Sequence, residues 1–251
     1  MNTIIEARRT DSERTAIFTL LGALALACWA YLLSRSPGPP QPAALAAAAQ
    51  LEQLARVAGL WAATLAAIML PAAAPAALAF ARTARGRYGL RRPYLRTALF
   101  TCGLAIAWCG WALAAALAQR WLQNAGLLDA DLALSNPDAG ALLMVAAGAY
   151  QWTPVKQACL EHCRAPHEVV LACWRPGLLG AIGMGIDDGK AAAGCYWPLT
   201  ALLFVAGVTN LAAIAALGVL VLAEKPRRAG TVVACFAGLL LVAWGTRLLF
   251  P

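Results

Sequence analysis

Long apolar runs separated by short polar ones set the plan of this chain. Met1 to Thr15 is polar and carries Arg8, Arg9 and Arg14, and an apolar run from Ala16 to Leu33 follows. That run nearly matches the roughly 20 helical residues needed to cross hydrocarbon. A secretory signal competes with this reading, but the run is long for such a signal's apolar region and no small-x-small cleavage site follows it. The pattern predicts a cytoplasmic segment over residues 1–15 and a single transmembrane domain over 16–251. Ser34 to Pro42 is rich in helix breakers, and a second span is predicted from about Val57 to Ala81. Pro71 and Pro75 lie inside it, freeing backbone carbonyls that neighbouring groups must satisfy. This helix is therefore expected to line a packed or functional interior.

Arg82, Arg85, Arg87, Arg91, Arg92 and Arg96 follow with no acid among them, which assigns this loop to the cytoplasm. A third span is expected over about Leu95 to Leu117, its Cys102 and Cys109 read as small packing residues. The loop from Gln123 to Asp138 has acids and no base, so it belongs on the opposite side. A fourth span begins near Gly140 and leads to Lys156 and Arg164 at its cytoplasmic end. From Pro166 to Ala193 the chain carries Arg175, Pro176 and several glycines, and reads as an interfacial or re-entrant segment. A fifth span is placed from Cys195 to before Glu224, with Asn210 inside it, and a sixth from Thr231 to Phe250. Six spans leave Lys225, Arg227 and Arg228 outside, against the charge rule. Seven would reconcile the charges by letting Glu168 to Ile186 cross, but a full crossing would bury Arg175 at high cost, so about six spans, with a re-entrant or interfacial segment between the fourth and fifth, are expected.

Composition agrees with this pattern. Of 251 residues, 61% are hydrophobic and 13% charged, and the mean hydropathy of +0.66 exceeds what a single soluble core requires. The fold class expected is all-α, a polytopic helix bundle. A net charge of +8 raises the question of nucleic acid, but the bases lie in short clusters between apolar runs, as orientation signals do. Most of the eight cysteines lie within or at the ends of spans, which argues against an extracellular disulfide framework.

Reactive side chains crowd in one stretch, Tyr150 to Arg164. On a helix, Cys159, His162 and Cys163 fall at i, i+3 and i+4 and share a face, a natural start for a metal site. Cys159 and Cys163 do not suit a mutual disulfide while helical, because their Cβ atoms would stand about 5–6 Å apart. Redox chemistry at these two thiols stays open. The bland reading is that the cysteines pack, His162 answers a helix C-terminus, and Lys156 pairs with Glu161 at an interface. No catalytic constellation stands out: two histidines cannot supply a bis-histidine haem site, no di-iron cluster appears, and the Gly183, Gly185 and Gly189 spacing suits close helix approach better than nucleotide binding.

The segments Gly148–Pro166, Trp174–Gly177, Gly183–Gly185, Gly194–Trp197, Gly207–Leu211 and Glu224–Lys225, with Met69–Pro75 before them, resemble an uncharacterised bacterial family of predicted metal-binding integral membrane proteins. The resemblance implies a bundle of about six helices with a metal site and carries no settled activity. Several soft ligands of the family pattern are missing here, around Ile68-Met69, Asp188, Cys195-Tyr196, Thr200 and Thr209. Cys159, His162, Cys163 and Cys195 remain, a three-sulfur, one-nitrogen set suited to copper or zinc. Lys156 and Arg164 are expected to favour its thiolates, and Met69, Met184 and His167 are alternative ligands.

Two functions follow from this. One is a protein of the bacterial cytoplasmic membrane that binds a soft metal, copper first, and handles or delivers it, with the lipid bilayer and a metal chaperone or membrane protein as partners. The second span, Gln151, Lys156 and Asn210 would give that site a polar interior. The other is an accessory subunit of a membrane complex that has kept the bundle and lost part of the site.

Overall fold

The computed structural model describes residues 2–34, 47–88, 93–129 and 132–250, and among them it contains α-helices and no strands. The helices are α1 (Asn2–Ser34), α2 (Ala47–Tyr88), α3 (Pro93–Asn124), α4 (Pro137–Tyr150), α5 (Pro154–Arg164), α6 (Pro166–Ala172), α7 (Gly177–Ala201), α8 (Leu203–Ala206), α9 (Leu211–Ala223) and α10 (Arg227–Leu249). Four of them contain stretches long and apolar enough to cross a membrane: Thr15–Ser34, Gln50–Arg87, Tyr94–Asn124 and Arg227–Leu249. The breaker-rich residues 35–46 and the arginines at 91 and 92 lie outside the described residues.

α2 is the spine. It stays helical through Pro71 and Pro75, although each proline removes the donor that would meet the carbonyl four residues earlier. Trp61, Leu65, Ile68, Ala74, Ala77 and Phe80 along it are almost fully buried. Phe80 stacks on Phe100 of α3 at 4.6 Å and on Trp174 at 5.5 Å.

The segment expected to be irregular is largely regular helix. Residues 166–172 form α6, and the glycine-rich run from 177 continues to residue 201 as α7. The glycines supply a smooth surface for α3. A Cβ on Gly185 would lie 2.0 Å from the carbonyl oxygen of Phe100, and one on Gly103 would lie 2.2 Å from that of Ile182. Helix propensity alone disfavours glycine by about 1 kcal/mol per residue, and close backbone approach overrides it here. Gly185 faces Phe100 and Gly189 faces Leu104 and Ala107, so α7 runs parallel to α3. α4 and α10 run antiparallel on small residues, Gly148 against Gly238 and Ala141 against Gly245.

Two expected spans are interrupted. The fourth bends at residues 151–153, where the Thr153 side chain caps α5 by accepting from the Lys156 amide and Pro154 begins the new helix. The fifth breaks after α8 at Gly207, whose φ of +86° suits glycine. Asn210, expected inside a span as a polar interior group, instead caps α9 from an exposed position, its side-chain oxygen accepting from the Ala213 amide.

Candidate metal centre

The bend before α5 turns that short helix so that Cys163 meets α7. Cys163 and Cys195 lie with their sulfurs 3.8 Å apart, both buried and unbonded. At metal–sulfur bonds of about 2.3 Å, a tetrahedral angle sets two sulfurs about 3.8 Å apart, and a linear arrangement about 4.6 Å. The pair already has the spacing of one edge of a tetrahedral sulfur site. Cys159, one turn earlier on α5, is partly buried, and its sulfur would lie 3.1 Å from a Cβ placed on Gly194, beside Cys195.

His162 points elsewhere. Its Nε2 stands 3.6 Å from Asp188 Oδ1 of α7, an ion-pair distance, and has no hydrogen-bond partner although the atom is buried. Two of the four expected ligands therefore touch, one lies beside them, and one is held towards a carboxylate. Among the described residues, no three His, Cys, Asp or Glu side chains converge as a ready cage.

A narrow cleft reaches Cys163. Met69, Ala72, Ala73 and Ala76 of α2, Trp108 of α3, Cys163, then Asp188, Ala192 and Tyr196 of α7, and Lys225 line it. Alanines on one side leave the depth, and Met69 contributes a second kind of soft sulfur. The other alternative ligands are placed differently: Met184 accepts a hydrogen bond from the Arg175 amide at 3.3 Å, and His167 is exposed on α6. Cys102 and Cys109 are exposed on α3.

The cations expected to favour the thiolates are engaged elsewhere. Lys156 is fully buried, donates to Gln151 Oε1 and to Glu224 Oε2 (2.8 Å), and stands 5.4 Å from the Tyr196 ring centre. The pairing with Glu161 read from the sequence is thus replaced by one with Glu224. Arg164 donates through Nε and Nη2 to the Glu224 backbone carbonyl and through Nη1 to Thr231. Lys225, the next residue, is the cation that lines the cleft with Cys163. Glu224, Asp188 and Lys225 went unassigned in the sequence. The available signal was an ionisable residue at the edge of the apolar run 211–223, which needs a named partner when buried.

The bundle thus holds a buried cross-helix thiol pair, one member of which shares a cleft with a thioether. The model of the copper chaperone family PpoB2 matches residues 58–248, and the chain belongs to that family. The match begins within α2 and ends within α10, so it takes in every residue of the cleft. No curated protein and no solved structure matches the chain.

Proposed function

We propose that this protein is a multi-pass copper chaperone of the bacterial cytoplasmic membrane that holds Cu(I) between α5 and α7 and passes it to a protein acceptor. Cys163 and Cys195 would be the first two ligands, Cys159 the third, and His162 or Met69 the fourth. The observation that carries this reading is the 3.8 Å separation of the two buried sulfurs from different helices, a spacing that suits a shared metal. Thiolate and thioether suit a soft ion such as Cu(I), and the family's description names copper. Zinc, an equal expectation from the ligand types alone, has no such support. Binding would draw Cys159 inward and release His162 from Asp188, so the site closes around its cargo.

The orientation that fits this reading has seven crossings, with α4–α5 and α8–α9 each acting as one broken span and α7 as a full one. The cytoplasmic face would then carry the 82–96 arginines and the 225–228 cluster together, as the charge rule requires.

The test is Cu(I) titration of detergent-purified protein against a chromogenic cuprous chelator, under reducing conditions. One ion per chain is expected. Cys163→Ser and Cys195→Ser should each weaken binding by more than about 100-fold, beyond the 10–100-fold typical of residues that only support ligands. Unchanged affinity in both variants would remove the site and leave the accessory-subunit account.

A further inference from the structure

The same pair of sulfurs has a chemistry beyond holding a metal. We propose that Cys163 and Cys195 form a dithiol that reduces Cu(II) to Cu(I) inside the bundle. The inference rests on the copper reading above and adds a reaction to it.

The two thiols come from different helices and touch each other at 3.8 Å. Closing them to a disulfide requires the sulfurs to approach by about 1.8 Å, to the bond length of about 2.05 Å. In this proposal α5 supplies that movement. It is an 11-residue helix set between the bend at 151–153 and the non-helical Ala165, and it carries Cys163 in its last turn. Cys159 and Cys163, by contrast, are held apart by one helical turn, so the redox pairing left open in the sequence moves to Cys163 with Cys195.

Two kinds of donor lie at or beside the cleft. The His162–Asp188 pair offers an imidazole nitrogen and a carboxylate, with side-chain exposures of 30% and 16%. Nitrogen and oxygen donors suit Cu(II), whereas sulfur suits Cu(I). The His162 Nε2 atom is buried without a hydrogen-bond partner. It is one residue from Cys163, and Asp188 lines the same cleft as Cys163 and Met69. A cupric ion would be met by nitrogen and oxygen at the His162–Asp188 pair, beside the thiols, and the cuprous product by the Met69 sulfur of the same cleft.

The electrons balance over two ions. Two Cu(II) each accept one electron, the two thiols lose two protons to solvent, and one Sγ–Sγ bond forms between Cys163 and Cys195. Disulfide exchange with two molecules of a low-molecular-weight thiol, the reductant of the cycle, which leave as their own disulfide, returns the dithiol, which can then hold Cu(I). The disulfide form lacks both thiolates, so oxidation also detaches copper from the pair.

The experiment uses the full chain in detergent with Cys28, Cys102, Cys109, Cys173 and Cys235 replaced by alanine, which removes unrelated thiols. The protein is reduced, freed of reductant and given Cu(II) as a weak amino-acid complex without oxygen. A cuprous chelator should register about two Cu(I) per chain, and peptide mass spectrometry should find Cys163 joined to Cys195. Adding Cys163→Ser or Cys195→Ser should abolish that linkage and slow Cu(I) formation at least tenfold. An undiminished Cu(I) yield in both variants, or a linkage of Cys159 to Cys195 in place of the expected one, would overturn the proposal. The linkage is read in a chain that keeps both cysteines, so it does not depend on either variant folding. Cu(I) supplied directly separates the two readings. A chain that binds Cu(I) and leaves Cu(II) unreduced overturns only the reduction, whereas one that reduces Cu(II) and retains no Cu(I) overturns only the binding.

Discussion

Lys156 and Glu224 place opposite charges 2.8 Å apart with neither side chain exposed. Desolvating both is costly, and their mutual attraction repays it only while both are present. Glu224→Leu or Lys156→Met alone should therefore destabilise the protein by about 3–5 kcal/mol, whereas Lys156→Met with Glu224→Leu should be close to neutral. Thermal unfolding of the three variants in detergent checks this through a double-mutant cycle, and strict additivity would refute it. The pair also ties α5 to the end of α9, so the single variants should weaken Cu(I) binding along with stability. None of this partnership was legible at the level of neighbouring residues. Sequence spacing offered Glu161 to Lys156, and the fold supplied a carboxylate 68 positions away.

Among the elements, α7 shows where local preference loses to packing. Its glycines, with Arg175 just before it, argued for irregular backbone, yet Gly185 and Gly189 are where α3 approaches closely. Replacing an exposed helical glycine by alanine normally gains about 0.5–1 kcal/mol. At Gly185 the new methyl would stand 2.0 Å from the Phe100 carbonyl oxygen, a backbone atom that cannot swing aside. Overpacking costs typically about 1–3 kcal/mol, so Gly185→Ala and Gly103→Ala should lower the unfolding temperature. Gly218→Ala on α9, with nothing within 4 Å of its added methyl, should leave that temperature unchanged or raise it. Equal responses at Gly185 and Gly218 would mean that α3 and α7 do not pack this closely. The apolar runs of α1, α2, α3 and α10 were legible because each is long and uninterrupted. The breaks at 151–153 and Gly207 were not, because flanking apolar residues hide a change of direction within one hydrophobic run. Of the candidate site, the helical spacing of Cys159, His162 and Cys163 was readable, but not that His162 turns to Asp188 and away from the thiols. The contact of Cys163 with Cys195 depends on how α5 is turned, which spacing within one helix does not encode.

At the scale of the molecule, helix directions and charges make one consistent scheme. α7 runs parallel to α3 and α10 antiparallel to α4. Arg227 lies 3.6 Å from Glu168, and Arg164 holds the carbonyl of Glu224, so the connections after α5 and after α9 share a face. At the opposite face, the amide of Leu134 donates to the carbonyl of Phe204 at 2.7 Å, joining the acidic 123–138 loop to α8. The proposed seven crossings would satisfy all of these contacts and bring the 225–228 bases to the cytoplasm, whereas six would separate Arg227 from Glu168 by the thickness of the bilayer. Single cysteines introduced as Asp138→Cys, Glu168→Cys, Arg227→Cys and Phe250→Cys, in a chain whose exposed native cysteines are alanine, distinguish the two. With a membrane-impermeant maleimide on intact cells, seven crossings predict labelling at positions 138 and 250, and at 168 and 227 only after the membrane is opened. Labelling of 227 together with 138, with 250 protected, would restore six crossings and require the Arg227–Glu168 contact to be absent in the membrane.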